Sequence, residues 1–201
     1  MTETQPAPAS HWRRNRALYL LIALSLAPIL ASYFAYYVMP PSGRTNYGTL
    51  VEPQRPVPAI RATALDGRAV DLRSLKDRWV LLMADGGRCD EYCRSKLFHM
   101  RQQRTMMGKD RDAIERVWLI TDEVPVSDDL VRDYAGTTMV RVREQDIRGL
   151  LALPDAPDAS LRDHIWVIDP LGNLMLRFPR DAEPKQMIRD LTRLLKYSRS
   201  G

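Results

Sequence analysis

The chain has 201 residues, of which 45% are hydrophobic and 27% charged, enough for one membrane segment and one globular domain of ordinary size. Its net charge of +5 and pI near 9.4 raise nucleic acid as a partner, but acidic and basic residues alternate in RDAIER, VREQDIR and IRDLTRLLK. Such stretches are solvated helix faces rather than a phosphate-tracking stripe, so no nucleic-acid partner is expected; nor is there an internal repeat, P-loop, dinucleotide fingerprint or HExxH motif.

Residues 1–12 are polar and Pro-rich, the composition of a disordered tail, and 1–16 are expected to form a cytoplasmic tail. Residues 17–39 contain no Asp, Glu, Lys or Arg and exceed the roughly 20 residues needed to span a bilayer. Arg13, Arg14 and Arg16 precede this run and only Arg44 follows closely, so the positive-inside rule puts the N-terminus in the cytoplasm and the remainder in the periplasm. A cleaved signal peptide shares the basic start and apolar run. The length of the run and the poor small-residue cleavage site at Met39-Pro40-Pro41 favour an uncleaved anchor in the inner membrane. Residues 40–58 carry Pro40, Pro41, Pro53, Pro56 and Pro58 and read as an extended spacer, leaving 59–201 as the exported domain.

Within that domain, Ile60 to Leu72 reads as short strands around the turn Asp66-Gly67. Trp79 to Met83 is an apolar run of strand length, the mark of a buried central strand. Asp85-Gly86-Gly87-Arg88 then leads to Cys89 and Cys93, the two cysteines of the chain. If this segment is helical, positions four apart share a face, close enough for one soft metal ion or, with adjustment, a disulfide. Leu97 and Met100 continue the helical face. Val117–Ile120 is a second core strand, a helix is expected around Asp128–Tyr134, and Met139–Val142 is a short strand. Ile165–Ile168 runs through Asp169-Pro170-Leu171-Gly172, a type I turn sequence, into Leu174–Phe178. Pro184 opens an amphipathic helix bearing Met187, Ile188, Leu191, Leu194 and Leu195. This order describes an α/β thioredoxin-like domain with a central mixed sheet, preceded by a single transmembrane helix.

The strand WVLLM followed by Cys89-Asp90-Glu91-Tyr92-Cys93, with Asp163-His164 ahead of an IDPxGN hairpin, resembles the Sco family of membrane-anchored thioredoxin-like proteins. The chain looks like a divergent member, with Asp90 and Arg94 where the family carries prolines. The resemblance implies copper bound by Cys89, Cys93 and His164, and a role in assembling the CuA site of cytochrome c oxidase. The partners it implies are a subunit of that oxidase or another assembly factor.

The chemistry of the residues leaves more than one use open. Copper(I) is soft and accepts two thiolates and an imidazole, a set that Cys89, Cys93 and His164 supply. The same cysteines fit a thiol–disulfide oxidoreductase in which Cys89 attacks and Cys93 resolves, a static disulfide in an oxidising compartment, or an interaction module in which they are incidental. His164 reads equally as a hydrogen-bonded structural residue. His99 lies too far along and around the helix to reach a metal on the cysteines, and His11 is across the membrane. Met100, Met106 and Met107 are thioethers that suit copper or core packing. Asp85, Asp90 and Glu91 either tune the thiols or are plain surface.

Overall fold

In the computed structural model, residues 15–38, 46–153 and 159–198 are described. The chain divides into two compact units, Met1–Thr45 and Asn46–Gly201. The first contains α1, Arg16–Val38, of which Arg16–Tyr37 is long and apolar enough to cross a membrane. Pro28 lies inside it. The hydroxyl of Ser25 donates to the carbonyl of Leu21 at 2.8 Å, which keeps that group satisfied within an apolar helix. Most of the expected cytoplasmic tail, residue 39 of the anchor and residues 40–45 of the expected spacer lie outside the described residues.

The second unit is built on an eight-stranded mixed sheet. In chain order the elements are β1 (Thr49–Pro56), β2 (Arg61–Ala64), β3 (Ala69–Asp71), β4 (Trp79–Asp85), α2 (Glu91–Met106), β5 (Ile114–Ile120), α3 (Asp128–Asp133), β6 (Thr138–Arg141), α4 (Glu144–Arg148), β7 (Ile165–Ile168), β8 (Asn173–Phe178) and α5 (Pro184–Ser198). The strands lie in the order β1-β8-β7-β4-β5-β6-β2-β3. β4, β5 and β6 run parallel, and the remaining pairings are antiparallel.

Every residue of β4 is buried because both faces of the sheet are covered. On one face α2 and α5 set Cys93, Leu97, Met100, Met187, Leu191 and Leu195 against Leu81, Met83, Trp118, Ile165 and Val167. On the other, Ile147, Leu151 and Leu153 join a core with Val80, Leu82, Ala84, Leu119, Trp166 and Ile168. The Asp169–Gly172 turn closes as its sequence predicts. Gly172 donates to the carbonyl of Asp169 at 2.9 Å at a φ of +87°, a conformation that glycine adopts freely.

The proline-rich stretch assigned to a spacer needs correction. Thr49–Pro56 is an edge strand paired antiparallel with β8, Thr49 opposite Arg177 and Pro56 opposite Asn173, and its register shifts between Leu50 and Arg55. Proline is admitted on an edge and at such an irregularity because one side of the strand has no ladder to supply. The short helix α4 was also not expected from the sequence; at five residues it leaves little periodicity to detect.

Candidate functional site

β4 ends at Asp85, and the chain turns through two glycines whose placement is forced. The amide of Gly87 donates to Asp122 Oδ1 at 2.8 Å, and a Cβ on Gly87 would lie 2.0 Å from the carbonyl oxygen of Val124. The loop is thus pressed against the segment that follows β5, and Cys89 emerges with a φ of +49°. Asp90 is the N-cap of α2, its Oδ1 accepting from the amide of Cys93 at 2.9 Å. The helix therefore starts between the cysteines, and Cys89 precedes it rather than sharing its face. The pair is joined as a disulfide with a Cα–Cα distance of 5.0 Å. Both residues are buried, Cys93 fully and Cys89 with 4% of its surface exposed, so Cys89 is the less enclosed of the two. A sulfur in the first turn of a helix lies where the dipole favours a thiolate.

Beneath the loop sits a buried ion pair that the sequence reading missed. Lys96 Nζ stands 2.7 Å from Asp85 Oδ2, and both residues are buried. The same ammonium donates to the carbonyls of Ala84 and Arg162. Its three N–H groups are thereby matched, and one residue ties together the end of β4, the first turns of α2 and the loop leading to His164. Desolvation lowers the pKa of Lys96, opposed by the charge of Asp85. Asp85 is thus an internal carboxylate rather than surface. Asp90 is a cap, and Glu91 is exposed. The signal for Lys96 was its place among Cys93, Leu97 and Met100 on the buried side of α2.

Tyr92 lies beside the disulfide, its hydroxyl placed to donate to the carbonyl of Asp163 at 2.8 Å or of Arg180 at 2.9 Å. Its pKa is pushed up to about 12, by burial first and then by the charge of Asp163. Arg180 covers its ring at 4.8 Å.

His164 follows the short 3-10 turn Leu161–Asp163 in extended backbone. Met83 pairs with Ile165 in the β4–β7 ladder, so His164 stands across from Ala84. By strand alternation it falls on the side of Trp166, whose ring meets its imidazole edge-on at 5.4 Å, and opposite the side covered by α2. Its Nδ1 lies 2.9 Å from the carbonyl of Phe178, and its Nε2 is buried without a partner. Burial lowers its pKa, opposed by the contact with Phe178. The structure thus brings Cys89 and Cys93 together and leaves His164 just ahead of the neighbouring strand β7. Among the described residues no three of His, Cys, Asp and Glu are grouped to hold a metal ion. Met100 and Met107 are core residues, while Met106 is exposed.

A mixed sheet with a cysteine pair between its central strand and the first turn of the next helix defines a thioredoxin-like protein. Residues 79–198 match the family described as "Transmembrane-like, thioredoxin-like, C-terminal domain", and the chain belongs to it. A search of curated proteins gives no match. Solved structures with the same fold include apo Sco1 from Thermus thermophilus, at 19% identity and a TM-score of 0.57 over 76% of this chain and 99% of that one. A SCO1/SenC family lipoprotein from Bacillus anthracis gives 14% and 0.55 over 72% and 99%. Yeast Sco1 with copper bound gives 10% and 0.52 over 77% and 95%. The fold is Sco-like, as the resemblance implied.

Proposed function

We propose that the chain is a membrane-anchored thiol-redox factor of the Sco-like kind, with its anchor in the inner membrane, its N-terminus in the cytoplasm and the Asn46–Gly201 unit in the periplasm. The observation that carries this reading is the Cys89–Cys93 disulfide, set between the central strand and the capped start of α2. In the reduced protein, the thiolate of Cys89 attacks a client disulfide and forms a mixed disulfide. Cys93 then attacks the sulfur of Cys89, and the client leaves as a dithiol while the pair closes. An exported thiol reductant returns the pair to its starting state. The cysteines of the CuA site of cytochrome c oxidase are the client that the Sco resemblance favours.

A second reading is copper(I) binding by the two thiolates of the reduced pair, which Nε2 of His164 would join only after its ring turns from the Trp166 side of the sheet toward the cysteine loop. The donor chemistry supports it: Nδ1 is engaged by a backbone carbonyl and Nε2 is unpartnered, the arrangement in which an imidazole keeps a lone pair for a metal. When bound, the ion would be the cargo handed to the oxidase.

The test is a redox titration of the full chain in detergent, followed by anaerobic titration of the reduced protein with copper(I) against a chelator. The redox reading expects a disulfide that opens in the folded protein at a potential above the roughly −300 mV typical of structural disulfides. A bond that yields only on denaturation overturns it. The copper reading expects one ion bound, lost in Cys89→Ala and Cys93→Ala and weakened in His164→Ala. A wild type that fails to compete with the chelator overturns that reading.

A further inference from the structure

The segment that follows β5 supports the cysteine loop from one side, and one arginine holds that segment in turn. Arg141 belongs to β6, paired with Ile120 of β5 and Thr63 of β2, so its side chain starts from a fixed place in the sheet. The residue is half-buried. Its guanidinium donates through Nη1 to the carbonyl of Asp122 at 2.6 Å and through Nη2 to the carbonyl of Val124 at 3.0 Å. A planar fork fixes two acceptors at once, which the single ammonium of a lysine does not do.

The other side of the same segment bears on the cysteines. Asp122 Oδ1 accepts from the amides of Gly87 and Val124, and the carbonyl of Val124 fills the space beside Gly87. Two residues on, Cys89 has its φ of +49°, a left-handed conformation that a residue with a Cβ leaves when it is free to do so. Cys93 is held independently, by the cap at Asp90 and by full burial. Cys89 is therefore the movable partner, and the contacts that place it run from Arg141 through Asp122 and Val124 to Gly87.

We propose that Arg141 is a positioning residue for the disulfide: it keeps the Cys89 loop in its closed conformation while the bond is open, and so holds the two thiols at high effective concentration. This deepens the thiol-exchange reading, and rests on it, by naming the group that sets how readily the bond opens. Without the clamp the open form gains freedom. The closed form gains less, because the S–S bond still ties Cys89 to Cys93, so opening becomes easier. The charge of Arg141 acts the other way, since a cation favours a nearby thiolate and its removal makes opening harder. The sign of the change separates the clamp from the charge.

The experiment equilibrates the folded full chain in detergent with dithiothreitol. The reagent supplies two electrons and two protons and closes to its own cyclic disulfide, while the Cys89–Cys93 bond becomes two thiols. Arg141→Met is expected to shift this equilibrium about tenfold towards the thiols, the scale of one net hydrogen bond, which corresponds to about 30 mV. Arg141→Lys keeps the charge and one donor but not the fork. It is expected to shift the equilibrium the same way by less, and it carries the test if Arg141→Met does not fold. Arg55→Met is the control, because Arg55 on the edge strand β1 also donates to two carbonyls, those of Leu150 and Ala152. It is expected to lower the melting temperature and leave the equilibrium in place. An equilibrium unmoved, or moved towards the disulfide, in the folded Arg141 variants overturns the proposal, and so does an equal shift in Arg55→Met. If the wild-type bond stays closed and that of the Arg141 variant opens, the clamp stands and the redox reading falls. If neither opens before denaturation, both fall.

Discussion

At Gly87 the backbone of Val124 occupies the space any side chain would need. Gly87→Ala has no flexible neighbour to displace, so the cysteine loop itself must move. Destabilisation of about 1–3 kcal/mol, the scale of overpacking, together with faster reduction of the disulfide, is expected in thermal melts and thiol-trapping assays. Lys96 is the other decisive residue. Lys96→Met removes one member of a buried pair and leaves Asp85 facing apolar surroundings, which costs about 3–5 kcal/mol; Asp85→Leu added to it should recover part of that loss in a denaturant titration. A pH effect follows from His99 and His164, whose folded pKa values burial holds below the ordinary 6.5. As pH falls below that value the unfolded chain takes up protons that the folded chain resists. Stability therefore declines on acidification through this window and is retained above it. Melting temperatures at about pH 7.5 and 5.5 should show the drop, and His99→Phe should reduce it. The cysteine spacing was readable because two such residues stand out in any sequence. The Asp85–Lys96 pair was not, since a carboxylate and a lysine eleven residues apart look like ordinary surface until the chain reverses between them.

The elements that could be read in advance are those whose burial leaves a one-dimensional trace. β4 and β7 are buried at every position and appear as unbroken apolar runs, and β8 alternates strictly. β1 leaves no such trace: of its eight residues only Val51 is buried, and its prolines suggested a spacer. What makes it a strand is the exposed ladder of β8, a long-range partner invisible in local composition. A chain beginning at residue 59 would leave that edge bare, an invitation to intermolecular pairing. Such a fragment is expected to aggregate or dimerise on gel filtration, whereas one beginning at Asn46 should remain monodisperse. The cap at Asp90 likewise explains why the helix does not contain both cysteines. The residue between Cys89 and the first helical turn is a stronger helix starter than the cysteine itself.

For the whole molecule, the arginines before α1 and the apolar helix that follows motivate an exported, membrane-retained domain. A C-terminal reporter that is active only outside the cytoplasm should be active when fused to this chain, and should sediment with membranes until extracted by detergent. Cytoplasmic activity, or release of a shortened soluble form, would contradict the orientation and the anchor. The thioredoxin-like architecture was legible from the order of elements. The placement of His164 was not, because the face from which a side chain leaves depends on a strand register that sequence alone does not give.

The pairing of Thr49 with Arg177 also sets a timetable for biogenesis. β1, the first strand in chain order, needs β8, the last, and β4 needs β7 as well as β5. A chain exported as proposed therefore cannot complete its sheet until β8 has crossed, and such distant pairings form slowly. If the domain is exported as proposed, Cys89 and Cys93 lie during that interval on an unfolded chain in an oxidising space. Their bond closes so short a loop that it can form before the fold and leave the later strand pairings unhindered, so the protein would reach its finished state already oxidised and await its first reductant.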